Sequence, residues 1–191
     1  MKIVLASASP RRKELLEKIG LEFEVDPGNH AEQLQPTSDP HVLAREISLK
    51  KASVVAGKHT DALIIAADTF IVFGDTILGK PESKTESRKM LTTLNGKTHV
   101  VITGYSILDT KSGKTVSGSA ETIVHMKELS PREINAYVES QEPLGKAGAY
   151  AIQGIGDVII DRIEGDYFNV VGLPLASLTE SLKEFGVYIL K

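Results

Sequence analysis

The chain has 191 residues, an apolar fraction of 41%, a charged fraction of 25% and a formal net charge of −3. This charge provides no overall basic field, so we expect no stable nucleic-acid binding. No apolar run approaches the roughly 20 residues that a membrane-spanning helix needs, so no membrane role is expected. There is no cysteine, which excludes disulfides and thiolate chemistry. The N-terminus does not have the pattern of a secretory signal, and we predict a cytoplasmic protein.

The first third of the chain alternates strand and helix patterns. Residues 2–6 (KIVLA) predict a buried strand. A helix is predicted to begin at Pro10, with Ser9 as its N-cap, and to end at Gly20. Asp39 and a proline predict a second helix that runs to about residue 57, and residues 62–67 (ALIIAA) predict a second buried strand. This alternation predicts an α/β layer architecture.

The middle of the chain has hairpin patterns. Residues 70–73 and 76–78 are predicted to pair across a Gly-Asp turn, and a helix follows from about residue 85 to residue 94. Residues 98–107 and 115–127 are predicted to form an antiparallel hairpin around a polar loop.

The last third begins with Ser130-Pro131-Arg132-Glu133, a capping box that predicts a helix. A glycine-rich stretch over 145–156 precedes a predicted strand over 157–163. Pro174 predicts a final helix to about residue 185, and a short strand is predicted to close the chain.

The first predicted helix carries two cations in its first turn. Arg11 and Arg12 oppose the helix dipole there, which is unfavourable by about 0.3–1 kcal/mol each. With the hydroxyls of Ser7 and Ser9 they could grip a phosphate chain through bidentate contacts. The alternative is a solvated pair of surface cations, and the residue types alone leave the two interpretations equally open.

Further candidates are single charged or amide side chains. Asp68 follows a predicted buried strand, where it could hold a divalent metal or act as a base, or simply cap a turn. Lys51, Lys80 and Glu32 are ordinary when taken alone. Gln153, in the glycine-rich stretch, could contact a nucleotide base because its amide offers both a donor and an acceptor.

Seven blocks of the sequence together resemble one family, the Maf proteins, from residue 3 to about residue 185. The blocks are LASASPRRKELL (5–16), LAREISLKKA (43–52), AADTFIV (66–72), GKP (79–81), MLTTLNGKTHVVITG (90–104), EPLGKAGAYAIQG (142–154) and GDYFNVVGLP (165–174). The resemblance implies metal-dependent hydrolysis of nucleoside triphosphates between the α and β phosphates. It also implies one domain over 1–191, an elongated mixed sheet with flanking helices and two lobes around a deep cleft, and a possible homodimer.

The resemblance also implies roles for individual residues. Those expected to line the phosphate cleft are Ser7, Arg11, Arg12, Lys51 and Lys80. Asp68 matches the proton acceptor, and with Glu32 it is expected to bind Mg²⁺ or Mn²⁺. Positions that separate substrate classes match Arg12, Thr69 and Gln153.

The form AGAYAIQG resembles the branch of the family that acts on dTTP and UTP. One alternative is a 7-methyl-GTP or broad house-cleaning pyrophosphatase. Another is a nucleotide-binding regulator of cell division without catalysis, which would not need Asp68.

Overall fold

The computed structural model describes residues 1–28 and 39–190, which contain seven strands and six helices. The strands are β1 (Lys2–Leu5), β2 (Glu24–Val25), β3 (Ala62–Phe73), β4 (Thr76–Leu78), β5 (Thr98–Asp109), β6 (Thr115–Met126) and β7 (Ile160–Gly165). The helices are α1 (Pro10–Lys18), α2 (Pro40–Ala56), α3 (Lys84–Leu94), α4 (Pro131–Glu139), α5 (Tyr167–Val171) and α6 (Leu175–Lys183). None of the helices in this part of the chain is long and apolar enough to cross a membrane.

All seven strands belong to one mixed sheet. Its order is β2-β1-β3-β5-β6-β7, and β4 pairs with β3. β1 is parallel to both β2 and β3, with Leu5 opposite Ile65, whereas β7 is antiparallel to β6. Helices flank this sheet, so the predicted α/β class is confirmed.

β3 is longer than predicted. The expected strand over 62–67 continues without a break through Asp68 to Phe73. Phe70 and Ile71 are both buried, and the last three residues of β3 pair antiparallel with β4, which gives the extension a partner. The prediction that Asp68 ends its strand is therefore wrong, although Asp68 does follow the part of β3 that pairs with β1.

Two other predictions near the C-terminal end are wrong, and one helix there was missed. Residues 155–159 form a 3₁₀ turn, so β7 begins only at Ile160. α5 was not predicted, and its start is stabilised by Asp166, whose carboxylate accepts the Phe168 N–H at 2.8 Å. No strand occurs over 184–190, where the Gly186 and Val187 amides instead bond back to the end of α6.

The described chain divides into two compact units. Unit 1 comprises Met1–Asp68, Thr103–Ala120 and Gly172–Lys191, and unit 2 comprises Thr69–Ile102 and Glu121–Val171. The predicted single domain with two lobes stays a prediction.

Helix α2 packs closely on the sheet in unit 1. Ala52 and Val55 of this helix join Val4 of β1 and Ile64 of β3 in one hydrophobic cluster. Over β5 the approach is closer still, because a Cβ added at Gly104 would lie 2.3 Å from the Ala44 carbonyl group of α2. Only glycine leaves room for the helix backbone at that point.

Candidate functional site

A buried ion pair joins α2 to β3 in unit 1. The Lys51 ammonium lies 2.5 Å from Oδ1 of Asp68, and the two side chains are only 11% and 8% exposed. Removing two charges from water is unfavourable, and apolar residues of similar volume often replace such a pair without loss of stability. A buried charge pair of this kind is therefore a candidate for function as well as structure.

Packing and hydrogen bonding of α2 fix the position of Lys51. One turn before it, Ser48 is fully buried and its Oγ lies 2.7 Å from Oγ of Ser106 on β5. The following residue, Ala52, lies in the apolar cluster described above. The sheet thus holds the helix on both sides of Lys51, which fixes the backbone from which the Lys51 side chain reaches Asp68.

Arg12 is buried with its guanidinium held at two points. Nε donates to the Gly172 carbonyl at 2.8 Å, and a terminal nitrogen donates to Ser7 Oγ at 3.2 Å. Arg12 is 8% exposed, so the alternative of a solvated surface pair is wrong for this residue. Its neighbour Arg11 is half-buried. Both arginines remain in the first turn of α1, as predicted.

Ser7, not Ser9, provides the hydroxyl at the start of α1. Ser9 occupies the N-cap position and Pro10 the first helical position, but the Ser9 side chain makes no capping hydrogen bond. Instead the Ser9 N–H donates to Ser7 Oγ at 3.2 Å. The predicted helix start with Ser9 at the N-cap is confirmed, although the Ser9 hydroxyl makes no capping hydrogen bond.

Strand register places the Ser7–Arg12 and Lys51–Asp68 contacts at the same edge of the sheet. Leu5 is opposite Ile65, so Ser7 follows this pair by two residues and Asp68 follows it by three. The carboxyl ends of neighbouring parallel strands are where open α/β sheets place their ligand sites. The Ser7–Arg12 and Lys51–Asp68 contacts therefore form the candidate functional site of unit 1.

Three of the four other candidates lie in unit 2. Thr69, which follows Asp68 directly, is half-buried on β3. Lys80 and Gln153 are exposed and lie in connecting segments. Glu32 falls outside the described residues, so its predicted place in the site stays a prediction.

The segment 142–156, called the glycine segment below, contacts the turn that carries Lys80. The Gly148 N–H donates to the Gly79 carbonyl at 3.0 Å, and the Gly145 N–H donates to the Pro81 carbonyl at 3.3 Å. Gly148 is required here, because its φ is +68° and an added Cβ would lie 2.1 Å from Ile71 Cδ1. Both residues that flank Lys80 are thus held by the glycine segment.

Glu142 binds the far end of the same segment and was not singled out from the sequence. Its carboxylate accepts the Gly156 N–H at 2.7 Å and the Ile155 N–H at 2.9 Å. Burial raises the pKa of the Glu142 carboxyl, but these bonds, the Tyr137 hydroxyl and the charge of Lys146 outweigh burial and lower it. In the sequence, the signal for this role of Glu142 is an acidic residue before a glycine-rich run, and that signal is weak.

Tyr150 anchors the middle of the glycine segment in the core of unit 2. Its hydroxyl lies 2.7 Å from Nε2 of His99 on β5, and both side chains are buried. Burial, helped by the nearby charge of His125, lowers the pKa of His99 from 6.5 to about 4. The histidine is therefore neutral at physiological pH, and Tyr150 has a core role.

The carboxylate of Asp68 suits a hard divalent cation, but only as part of a ligand set. Asp68 is the one buried acidic residue among those described. Residues 1–28 and 39–190 contain no cluster of three or more potential metal ligands. Mg²⁺ commonly binds one or two carboxylates together with substrate phosphates and water, and a single buried carboxylate fits that mode.

Fold and site define an α/β protein with buried charges at the end of a parallel strand pair. The chain belongs to the Maf family, because the family model described as Maf-like protein matches residues 2–185. A "dTTP/UTP pyrophosphatase" of Desulforamulus reducens is 45% identical over 187 residues, which cover 98% of each chain. Another, of a Thermoanaerobacter species, is 48% identical over 192 residues and covers all of both chains. The resemblance stated from the sequence blocks is confirmed.

A solved structure supports the fold. The Staphylococcus aureus Ham1 protein has a TM-score of 0.52 to this chain at 16% identity, covering 84% of this chain and 80% of that one. The likeness is one of architecture, an α/β sheet with flanking helices.

Proposed function

We propose that this protein is a nucleoside triphosphate pyrophosphatase that hydrolyses dTTP and UTP to the monophosphate and pyrophosphate. The observation that carries the proposal is the buried Lys51–Asp68 pair, which lies just beyond the residues over which β1 and β3 pair in parallel. Support comes from the 45% and 48% identity to two proteins with that name.

Cations of unit 1 bind the triphosphate in this proposal. Arg12 is held by Gly172 and Ser7, so its planar guanidinium is oriented before an anion arrives. Arg11 and the positive end of the α1 dipole add positive potential. Oriented donors of this kind stabilise the charge that develops on the departing pyrophosphate. The role of Lys80 as a phosphate ligand stays a prediction from the sequence.

Asp68 is the proton acceptor in the proposed reaction. In hydrolysis a water oxygen forms a bond to phosphorus, the anhydride bond between the α and β phosphates breaks, and pyrophosphate leaves. The Asp68 carboxylate accepts the proton that the water loses, and Lys51 holds that carboxylate in one orientation.

A divalent cation, Mg²⁺ or Mn²⁺, completes the proposed site. Asp68 would be one of its ligands, and the cation when bound would offset charge on the triphosphate. The second predicted ligand, Glu32, a cytoplasmic location and a homodimer stay predictions from the sequence.

Pyrophosphate release from a panel of nucleoside triphosphates tests the proposal. The panel holds dTTP, UTP, CTP, the purine nucleotides and 7-methyl-GTP, each with Mg²⁺, with Mn²⁺ and with EDTA. We expect metal-dependent release from dTTP and UTP and little release from the others.

Other results would contradict different parts of the proposal. Release mainly from 7-methyl-GTP would keep the reaction and overturn the pyrimidine preference. Tight nucleotide binding without release from any member of the panel would favour a regulator and overturn the proposed activity.

A further inference from the structure

We propose that Glu142, together with Tyr137, is a positioning residue that holds Gln153 for recognition of a uracil or thymine base. The inference rests on the proposed function, and it adds two residues to the recognition of that substrate. All the contacts that carry it lie within unit 2.

The first step is that Glu142 fixes one end of a short loop. Its Oε1 accepts hydrogen bonds from the Gly156 N–H and the Tyr137 hydroxyl, and its Oε2 accepts the Ile155 N–H. With three donors divided between both oxygens, the carboxylate cannot rotate without losing hydrogen bonds. Bonds to an ionised acceptor are also about twice as strong as neutral ones.

The second step is that Tyr137 fixes the other end. The Ala151 N–H donates to the Tyr137 hydroxyl oxygen at 3.1 Å, and that same hydroxyl donates to Glu142 at 2.9 Å. The backbone is thus held at residue 151 on one side and at residues 155 and 156 on the other. Gln153 lies midway between these two anchors.

Glycines permit this close approach. A Cβ added at Gly156 would lie 2.4 Å from the Tyr137 hydroxyl oxygen, and one at Gly154 would lie 2.5 Å from Glu142 Oε2. Gly154 also has a φ of +97°, where other residues are strained. The backbone therefore passes close to the carboxylate at Gly154 and close to the Tyr137 hydroxyl at Gly156, and a larger residue at either position would displace the loop.

The Gln153 side chain is available to a ligand. It is exposed, and its amide makes no hydrogen bond to any residue in the described ranges. An amide NH₂ and C=O side by side complement a base edge that offers a carbonyl oxygen next to an imide N–H. Uracil and thymine have that edge, whereas cytosine has an amino group and an unprotonated nitrogen there, which the same amide would meet only after a 180° turn. The proposed preference therefore depends on the loop holding the amide in one orientation. A backbone already fixed before binding loses less entropy when the base arrives.

A purely structural role for Glu142 is the competing explanation. It predicts lower stability and a smaller active fraction after substitution, with the preference between bases unchanged. A positioning role predicts that the preference itself changes.

Three variants distinguish these roles. Glu142→Gln replaces one acceptor oxygen with a donor that faces the backbone amides, and Tyr137→Phe removes only the shared hydroxyl. Glu139→Gln is the matched control, because its carboxylate is also bonded by a neighbour, Lys84, but lies outside the loop. The measurement is steady-state pyrophosphate release from UTP and from CTP, with kcat and KM determined separately.

For both loop variants we expect KM for UTP to rise about tenfold while kcat stays within about twofold. The ratio of kcat/KM for UTP to that for CTP should fall about tenfold, and Glu139→Gln should leave it unchanged. Tyr137→Phe keeps the test decisive if Glu142→Gln does not fold.

An unchanged ratio in a folded loop variant would overturn the inference and leave the proposed function standing, even if kcat had fallen. If the unsubstituted protein released pyrophosphate from neither nucleotide, the proposed function would fail and the inference with it.

Discussion

The two units carry their candidate residues in opposite ways. In unit 1 the charged groups Arg12, Lys51 and Asp68 are buried and lie on helices or a strand. In unit 2 Lys80 and Gln153 are exposed, and their neighbours in the chain are held by backbone hydrogen bonds and by Glu142. Unit 1 fixes its side chains directly, whereas unit 2 fixes the backbone that carries them.

This difference matches the chemistry proposed for each set. Proton transfer and charge stabilisation gain from groups that are shielded from water, because electrostatic interactions are stronger there. Base recognition needs a side chain that can reach a ligand and a backbone that holds it in place. Substitutions in unit 1 should therefore reduce turnover, and substitutions around the glycine segment should change recognition and stability.

The largest effect is expected for Asp68→Asn. The variant loses the proton acceptor and leaves the Lys51 ammonium buried without its carboxylate. We expect pyrophosphate release from UTP to fall by about 10²–10⁴-fold. We also expect a lower free energy of unfolding, by about 3–5 kcal/mol, with the fold retained. Assays and urea unfolding at pH 7 measure both.

The control for this prediction is Asp61→Asn in the same unit, where the side chain is exposed. Asp61→Asn should change the free energy of unfolding by no more than about 0.5 kcal/mol. It should change the rate of pyrophosphate release from UTP by no more than the corresponding factor. Full activity of Asp68→Asn would contradict the assignment of Asp68 both as a proton acceptor and as a metal ligand.

The next largest effect concerns acid stability, which depends on His99 in unit 2. The pKa of His99 is about 4 in the folded protein, whereas the ordinary value is 6.5. As the pH falls, the unfolded chain therefore takes up this proton first. Stability is therefore full above about pH 6.5 and falls as the pH approaches 4. This difference in pKa corresponds to a loss of about 3 kcal/mol in the free energy of unfolding. Urea unfolding at pH 7 and pH 4 should show this loss in the unsubstituted protein and lack it in His99→Gln.

His59→Gln is the matched control, because it removes a histidine from unit 1 and should leave the acid loss intact. An equal loss in the unsubstituted protein and His99→Gln would mean that other groups, such as the hydrogen-bonded carboxylates, cause it.

The sequence predicted the secondary structure where local signals were strong. Asp39 and Ser130 cap α2 and α4 as their patterns indicated, and the latter has the complete capping box. The error at β3 has a physical cause. A polar Asp-Thr pair in an apolar run is typical of a strand end. In the structure β1 pairs with β3 only as far as Ile65 and β4 pairs from Ile71 onward, and a single sequence does not report which partner is present.

The candidate site was predictable only in part. Arg12 violated a local rule, since it opposes the helix dipole, and the structure shows it held at two oxygens. Glu142 violated no rule, because an acidic residue next to a proline is ordinary in a sequence. Its role became visible only when two amides thirteen and fourteen residues away were seen to bind it.

A smaller effect is expected for Gly156→Ala in unit 2. The added methyl group would lie 2.2 Å from the Ala151 carbonyl oxygen, so the backbone must move. Overpacking of this kind lowers the free energy of unfolding by about 1–3 kcal/mol. It should also raise KM for UTP, because the loop is displaced. Thermal unfolding and kinetics test this, with Gly57→Ala as the control, since its nearest contact would be an ordinary 3.7 Å. Equal stability of the two variants would contradict the tight fit.

The smallest effect separates two serines of unit 1 that look alike in sequence. Ser7 Oγ accepts the Ser9 N–H and a guanidinium hydrogen of Arg12, whereas the Ser9 hydroxyl makes no capping bond. Ser7→Ala should therefore lower the free energy of unfolding by about 1 kcal/mol and lower kcat/KM for UTP several-fold.

Ser9→Ala should change stability by less than Ser7→Ala, although an N-cap serine would ordinarily contribute about 0.5–2 kcal/mol. Chemical denaturation of both variants decides the order. If Ser9→Ala were the more destabilised, the Ser9 hydroxyl would contribute more to the start of α1 than Ser7 does, which would contradict this prediction.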